Sequence, residues 1–255
     1  MKIPVLQGII KRRVLLNYRA APEVIRKILP SGFRPKLHRG RAVAGICLIR
    51  LEQIRPQFAP GFVGVSSENA AHRIAVEWTD ESGQIKEGVF IPRRDTDSLI
   101  NQLAGGRLFS SEHHKAEFDI EEDEDEINFR MRSADSQTEV SFKGKRSEDF
   151  PVDSIFSDLR EASLFFEKGS LGYSPDKTGK KLDAISLEIN DWRVRSFETE
   201  FVRSSFYQNE TIFPAGSIEF DHALLMQNIA HRWLGERGRE TDQENLRKKG
   251  RRDPI

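Results

Sequence analysis

Residues 116–132 read AEFDIEEDEDEINFRMR. Ala116, Phe118 and Ile120 alternate with Glu117 and Asp119, and Ile127, Phe129 and Met131 repeat the pattern after the acidic run Glu121–Glu126. A period of two marks a strand with one face toward a core and the other toward water. Two such segments joined by a solvated run predict a β-hairpin. The carboxylates of the run lack calcium-loop spacing and a central glycine, so the block reads as a turn rather than a metal site.

The pattern spreads in both directions. Val14–Tyr18, the apolar run Ala42–Leu51, Ile74–Trp78, Gly88–Ile91, Val140–Phe142, Ile185–Ile189 and Phe197–Phe201 all read as strands, and Asp80–Gln84, with Gly83, reads as a hairpin turn. Four helices are predicted. Pro22–Leu29 is short and is stopped by Pro30 and Gly32. Asp95–Leu103 ends at Gly105–Gly106, and Val152, Ile155, Phe156, Leu159 and Ala162 form an amphipathic stripe. Asp221 caps a last helix whose apolar face carries Leu225, Ile229 and Trp233. The fold class expected is α+β and strand-dominated: one domain over residues 1–235 and a polar, disordered tail over 236–255 that folding does not require.

Forty Lys and Arg balance forty Asp and Glu, so no global field selects nucleic acid or a membrane as partner. The basic run Arg247–Arg252 has no aromatic residues among it to stack bases. A single cysteine, Cys47, excludes an internal disulfide and reads as a small core residue. Met1–Ile10 lacks the pattern of a signal peptide, and the expected location is cytoplasmic. Phosphate loops, dinucleotide fingerprints and Gly-x-Ser-x-Gly elbows are absent from the sequence. His113 and His114 are adjacent, which on a strand sends them to opposite faces and argues against a shared metal. No cofactor is expected.

The segment AGGRLFSSEHHK, residues 104–115, brings paired glycines, Arg107, two histidines and Lys115 together. It resembles the acetoacetate decarboxylase superfamily, in which a Gly-Arg pair is followed by five residues and Pro-Lys-Lys. VLLNYRAAPEVIRKILPSGFRP (14–35) is similar to that family's N-terminal stretch, and Glu68 in SSENAAHRIAVEW falls where the family has an acidic residue. GSIEFDHALLMQNIAHRW (216–233) looks like a branch known only as a domain of unknown function. The resemblance runs from Ile10 to Trp233 and implies an acetoacetate decarboxylase-like β-barrel with short peripheral helices. It also implies a pocket between Glu68 and Lys115 for a small carboxylate or carbonyl compound.

The sequence departs from the family where the reactive lysine belongs. That position is His114, and only the second lysine survives, as Lys115. An imidazole forms no imine. Three readings stand open. One is acid–base chemistry by His114 with Glu68 as a second candidate, the substrate carboxylate being held by Arg107 or by Lys11 and Arg13 of the Lys11–Arg13 cluster. Another is a non-catalytic binding or interaction protein on the same scaffold. The third is an imine-forming lyase in which Lys115 has taken over, which needs that amine neutral and turned inward. Self-association into a homo-oligomer stays open.

Overall fold

A computed structural model describes residues 5–98 and 111–240. In chain order the strands are β1 (Leu6–Ala20), β2 (Arg34–Pro35), β3 (Leu37–His38), β4 (Arg41–Pro56), β5 (Val65–Thr79), β6 (Ile85–Thr96), β7 (His114–Glu122), β8 (Glu126–Ser133) and β9 (Glu139–Ser147). They continue with β10 (Leu171–Pro175), β11 (Lys181–Ile189), β12 (Arg195–Ser204) and β13 (Ile218–Glu240). The helices among the described residues are α1 (Pro22–Ile28) and α2 (Leu159–Glu167), with a 3-10 turn at Gly61–Val63.

One sheet closes on itself twice. Nine strands, β1-β4-β5-β6-β7-β8-β9-β12-β13, form a barrel, and β13 returns to β1. A second circuit leaves the first at β6, runs through β10 and β11, and rejoins it at β13. Strands β13, β1, β4, β5 and β6 therefore form a wall common to both enclosures. On one face Val14, Leu16, Ile46, Leu48, Ile74 and Leu225 pack into the main core with Phe129 and Phe142. On the other, Leu15, Val43, Ala75 and Leu224 pack against Phe156, Ala162 and Phe166 at and around α2. A strand buried on both faces reads as a continuous apolar run, which is why Ala42–Leu51 shows no alternation.

The same double burial corrects the last predicted helix: residues 218–240 are the strand β13. Asn228 takes a left-handed backbone, φ +55°, a conformation Asn tolerates better than most residues. Met226 and Ile229, three apart on either side of it, thereby share one cluster with Trp233 packed against it. The four-residue spacing of Leu225, Ile229 and Trp233, which reads as a helical face, is split instead: Leu225 packs in the main core, and Ile229 and Trp233 belong to the other cluster. The stripe beginning at Val152 is helical only from Leu159, where the Asp158 side chain accepts the Glu161 N–H at 2.7 Å. Asp95, predicted to open a helix, ends β6 instead, and residues 99–103 of that prediction lie outside the described residues.

Strand β13 also runs past the boundary expected at residue 235. Its final rungs pair Leu182 with Arg239 and Lys181 with Glu240. The Arg239 guanidinium sits 4.9 Å from the Trp78 ring centroid, 5.3 Å from Tyr173 and 5.4 Å from Phe33. Such contacts are worth about 0.5–2 kcal/mol each. Truncation after Gly235 is expected to lower the melting temperature by roughly 2–4 °C for each kcal/mol these contacts supply, whereas truncation after Glu240 leaves it nearly unchanged, as differential scanning calorimetry would read.

Candidate functional site

The wall's geometry splits neighbouring residues between the two enclosures, because successive side chains on a strand point opposite ways. Arg12 turns into the nine-stranded barrel, where Phe129 lies beneath it, and Arg13 turns the other way, over Trp192. His72 packs on Phe206 and Tyr207, while Arg73 lies over Phe166. Arg93 reaches Asp95 and Asp135, while Arg94 reaches Ser174 on β10.

Arg13, Arg73 and Arg94 meet at a cavity of about 130 Å³ enclosed by the wall, β10 and β11. Ile49, Leu51, Val89, Ile91, Leu187 and Trp233 supply its apolar surface, and Cys47, Asp95 and His113 complete the polar one. An outer pocket of about 470 Å³ shares Arg13, Gly169, Ser170 and Leu187 with it and forms its mouth.

The chain treats its buried and half-buried arginines in two ways. Arg12 binds Glu122 at 2.5 Å and Glu68 at 2.6 Å, and Arg93 binds Asp95 at 2.8 Å and Asp135 at 2.9 Å. Each is matched by two carboxylates. The cavity arginines have neutral partners instead. Arg73 donates to the Asn17 amide oxygen at 2.5 Å, Arg94 to the Ser174 hydroxyl at 2.8 Å, and Arg13 to the Cys47 sulfur at 3.3 Å. Among the described residues no carboxylate lies within ion-pair distance of the three; Asp183 reaches Arg94 only through its field, and Asp95 is taken by Arg93. Burial pushes both Arg73 and Arg94 down to about 10, so they stay charged near neutrality. A buried cation without a counterion costs several kcal/mol, by order of magnitude, which an anion in the cavity would offset.

The residues expected from sequence are dispersed by this geometry. Arg13 lines the cavity. Lys11 is exposed on the same strand, and Arg107 lies outside the described residues. Glu68 faces the other enclosure and belongs to the Arg12 cluster. His114 sits at 3.2 Å from Asp135, with Glu112 at 3.9 Å, away from the cavity lining, and Lys115 is exposed. The histidine at the cavity is His113. Its Nδ1 lies 3.1 Å from the Ser111 carbonyl, which makes that nitrogen the donor and leaves Nε2 as acceptor. Burial, reinforced by Arg94, pushes the ring down to about 4, so it is neutral near pH 7. Arg73, Arg94 and His113 were not among the expected site residues. The signal for Arg73 is a charged residue inside Ala70–Val76, a run apolar on both faces but for His72 beside it.

Comparison with known proteins places the fold. The structure is similar to an acetoacetate decarboxylase from Legionella pneumophila subsp. pneumophila str. Philadelphia 1, with 15% identity over 93% of this chain and 87% of that one and a TM-score of 0.58. An acetoacetate decarboxylase-like enzyme from Sphingomonas wittichii RW1 matches with 13% identity, 94% and 95% coverage and a TM-score of 0.59. The enduracididine biosynthesis enzyme MppR, in complex with pyruvate, matches with 13% identity, 94% and 91% coverage and a TM-score of 0.53. The class defined is therefore the acetoacetate decarboxylase-like fold, with the double closure described above. Within it, the chain belongs to the DUF2071 family of uncharacterized conserved proteins, whose sequence profile matches residues 10–220. No curated protein matches the chain in sequence. No helix among the described residues is long and apolar enough to cross a membrane.

The Arg12 cluster yields a test of its own. Burial pushes the Glu68 carboxyl from 4.5 up to about 7, against the pull of Arg12 and Arg50. A carboxyl raised in the folded state contributes stability that is full below the unfolded value and is lost as pH rises through the folded one. The melting-temperature difference between wild type and Glu68→Gln should therefore favour wild type most below about pH 4.5. It should shrink toward about pH 8, as a series of thermal melts would show.

Proposed function

We propose that the protein binds a small carboxylic acid, a 2-oxo acid in the simplest case, in the cavity of Arg13, Arg73 and Arg94. The observation that carries this reading is the neutral partnering of the three arginines in a chain that matches Arg12 and Arg93 with two carboxylates each. Guanidinium forks suit carboxylates in geometry as well as charge. The apolar wall from Ile49 to Trp233 suits a short aliphatic body on the acid. Pyruvate bound to the structurally similar MppR supports the same ligand class.

The chemistry follows from what the lining offers. Guanidinia hold the carboxylate and draw electron density from an adjacent carbonyl, and neutral His113 accepts a proton at Nε2. An imine has no amine to form from at this cavity: the described lining contains no lysine, and Lys115 is turned to solvent. Lys36, beside an adjoining pocket, is bound to Glu87 at 2.7 Å. The reading is therefore acid–base and ionic rather than Schiff-base.

Titration with 4-methyl-2-oxopentanoate and pyruvate, followed by NMR, tests it. Arg94→Met should abolish binding while leaving the melting temperature equal or higher, since a buried uncompensated charge gives way to an apolar chain of similar reach. Wild-type protein without affinity for either acid would sink the proposal. Borohydride treatment with pyruvate should give no mass adduct at any lysine. A reduced adduct at Lys115 would restore the imine lyase.

A further inference from the structure

Arg73 does not stand alone at the cavity. His222 on β13 is paired in register with Asn17 on β1, Asn17 with Gly45 on β4, and Gly45 with Arg73 on β5. The four residues thus form one row across the common wall. Gly45 is the gap in it. A Cβ there would meet the Leu16 carbonyl oxygen at 2.6 Å, the Asn17 Oδ1 at 3.2 Å and the Arg73 Nη2 at 3.4 Å. The missing side chain lets Arg73 cross β4 and reach the asparagine.

Hydrogen-bond bookkeeping then fixes every orientation in the row. Arg73 has only donors, so the Asn17 oxygen faces it, and the Asn17 nitrogen donates to the Leu15 carbonyl at 3.2 Å and to His222 at 3.0 Å. His222 must accept at Nε2, which puts its proton on Nδ1, 2.6 Å from the Asp221 carboxylate. Asp221 is anchored by the Ser154 hydroxyl at 2.6 Å, the Ile155 N–H at 3.0 Å and Arg19 at 3.4 Å. Phe150, Phe156 and Phe166 surround the imidazole, which is fully buried. Burial holds it below its ordinary value, and so neutral.

We infer that Asp221, His222 and Asn17 form a positioning relay that fixes Arg73 as an un-neutralised cation at the carboxylate site. The carboxylate stays two residues away from the guanidinium, on the far side of His222 and Asn17. Arg73 is thereby oriented by a chain of single-option hydrogen bonds while its charge remains available to a ligand. This inference rests on the cavity's reading as a carboxylate site, and it adds three residues that line no part of that cavity.

The test uses the full-length protein and 4-methyl-2-oxopentanoate as probe. In wild type, saturation should shift the ring ¹⁵N resonances of His222, because an anion on Arg73 alters the bond to Asn17 that His222 shares. A merely structural histidine would not respond. Asn17→Asp puts a carboxylate against Arg73 in nearly the same shape, and should lower affinity at least tenfold with the resonance dispersion of the fold retained. Should that variant fail to fold, the His222 shift in wild type still decides. Wild-type binding with a motionless His222 resonance, or unchanged affinity in folded Asn17→Asp, overturns the relay and leaves the carboxylate site standing. Absence of wild-type binding overturns both.

Discussion

Five strands of this protein are shared between two interiors. The wall formed by β13, β1, β4, β5 and β6 closes a nine-stranded barrel on one side and a smaller enclosure on the other, and each residue buried along it must satisfy one interior or the other. This constraint sets both the composition of the strands and the placement of the charges among them. Alternation ordinarily sorts residues into inside and outside. Here it sorts them into two insides.

The charges differ between the two insides. In the barrel, Arg12 and Arg93 are each neutralised by two carboxylates, an arrangement that closes the far ends of β7, β8 and β9 onto the wall. In the smaller enclosure, Arg13, Arg73 and Arg94 are held by a thiol, an amide and a hydroxyl. Neutral partners orient a guanidinium without cancelling it. Two neighbouring residues of one type thus carry opposite duties, and the strand's pleat alone assigns them.

The sequence discloses the barrel's outer half well, since Ala116–Ile120 and Ile127–Met131 alternate against solvent and form β7 and β8 as expected. It discloses the wall poorly. Double burial removes the alternation from β4, and in β13 the apolar residues Leu225, Ile229 and Trp233 fall at helical spacing while packing into two different clusters on either side of the left-handed Asn228. The resemblance to acetoacetate decarboxylases identifies the fold; position-by-position transfer points to His114 and Lys115, which do not line the cavity, and passes over His113, which does. Only coordinates show that His114 is drawn to Asp135 and Lys115 to water. Glu68 lies in the barrel while its neighbour Asn69 lines the cavity, and one residue's difference is a change of compartment.

The double closure also bears on how such a chain can change over generations. An extra residue in an ordinary barrel strand turns that strand inside out, a fault that a loop can sometimes absorb. In β1 the same insertion would exchange the contents of two interiors at once, carrying Arg13 to the carboxylates and Arg12 to the cavity. Wall strands are thus closed to length variation, except where a left-handed residue such as Gln53 or Asn228 already takes up the slack. Novelty has to enter by substitution there, one side chain and one compartment at a time, while the loops between strands remain free to lengthen.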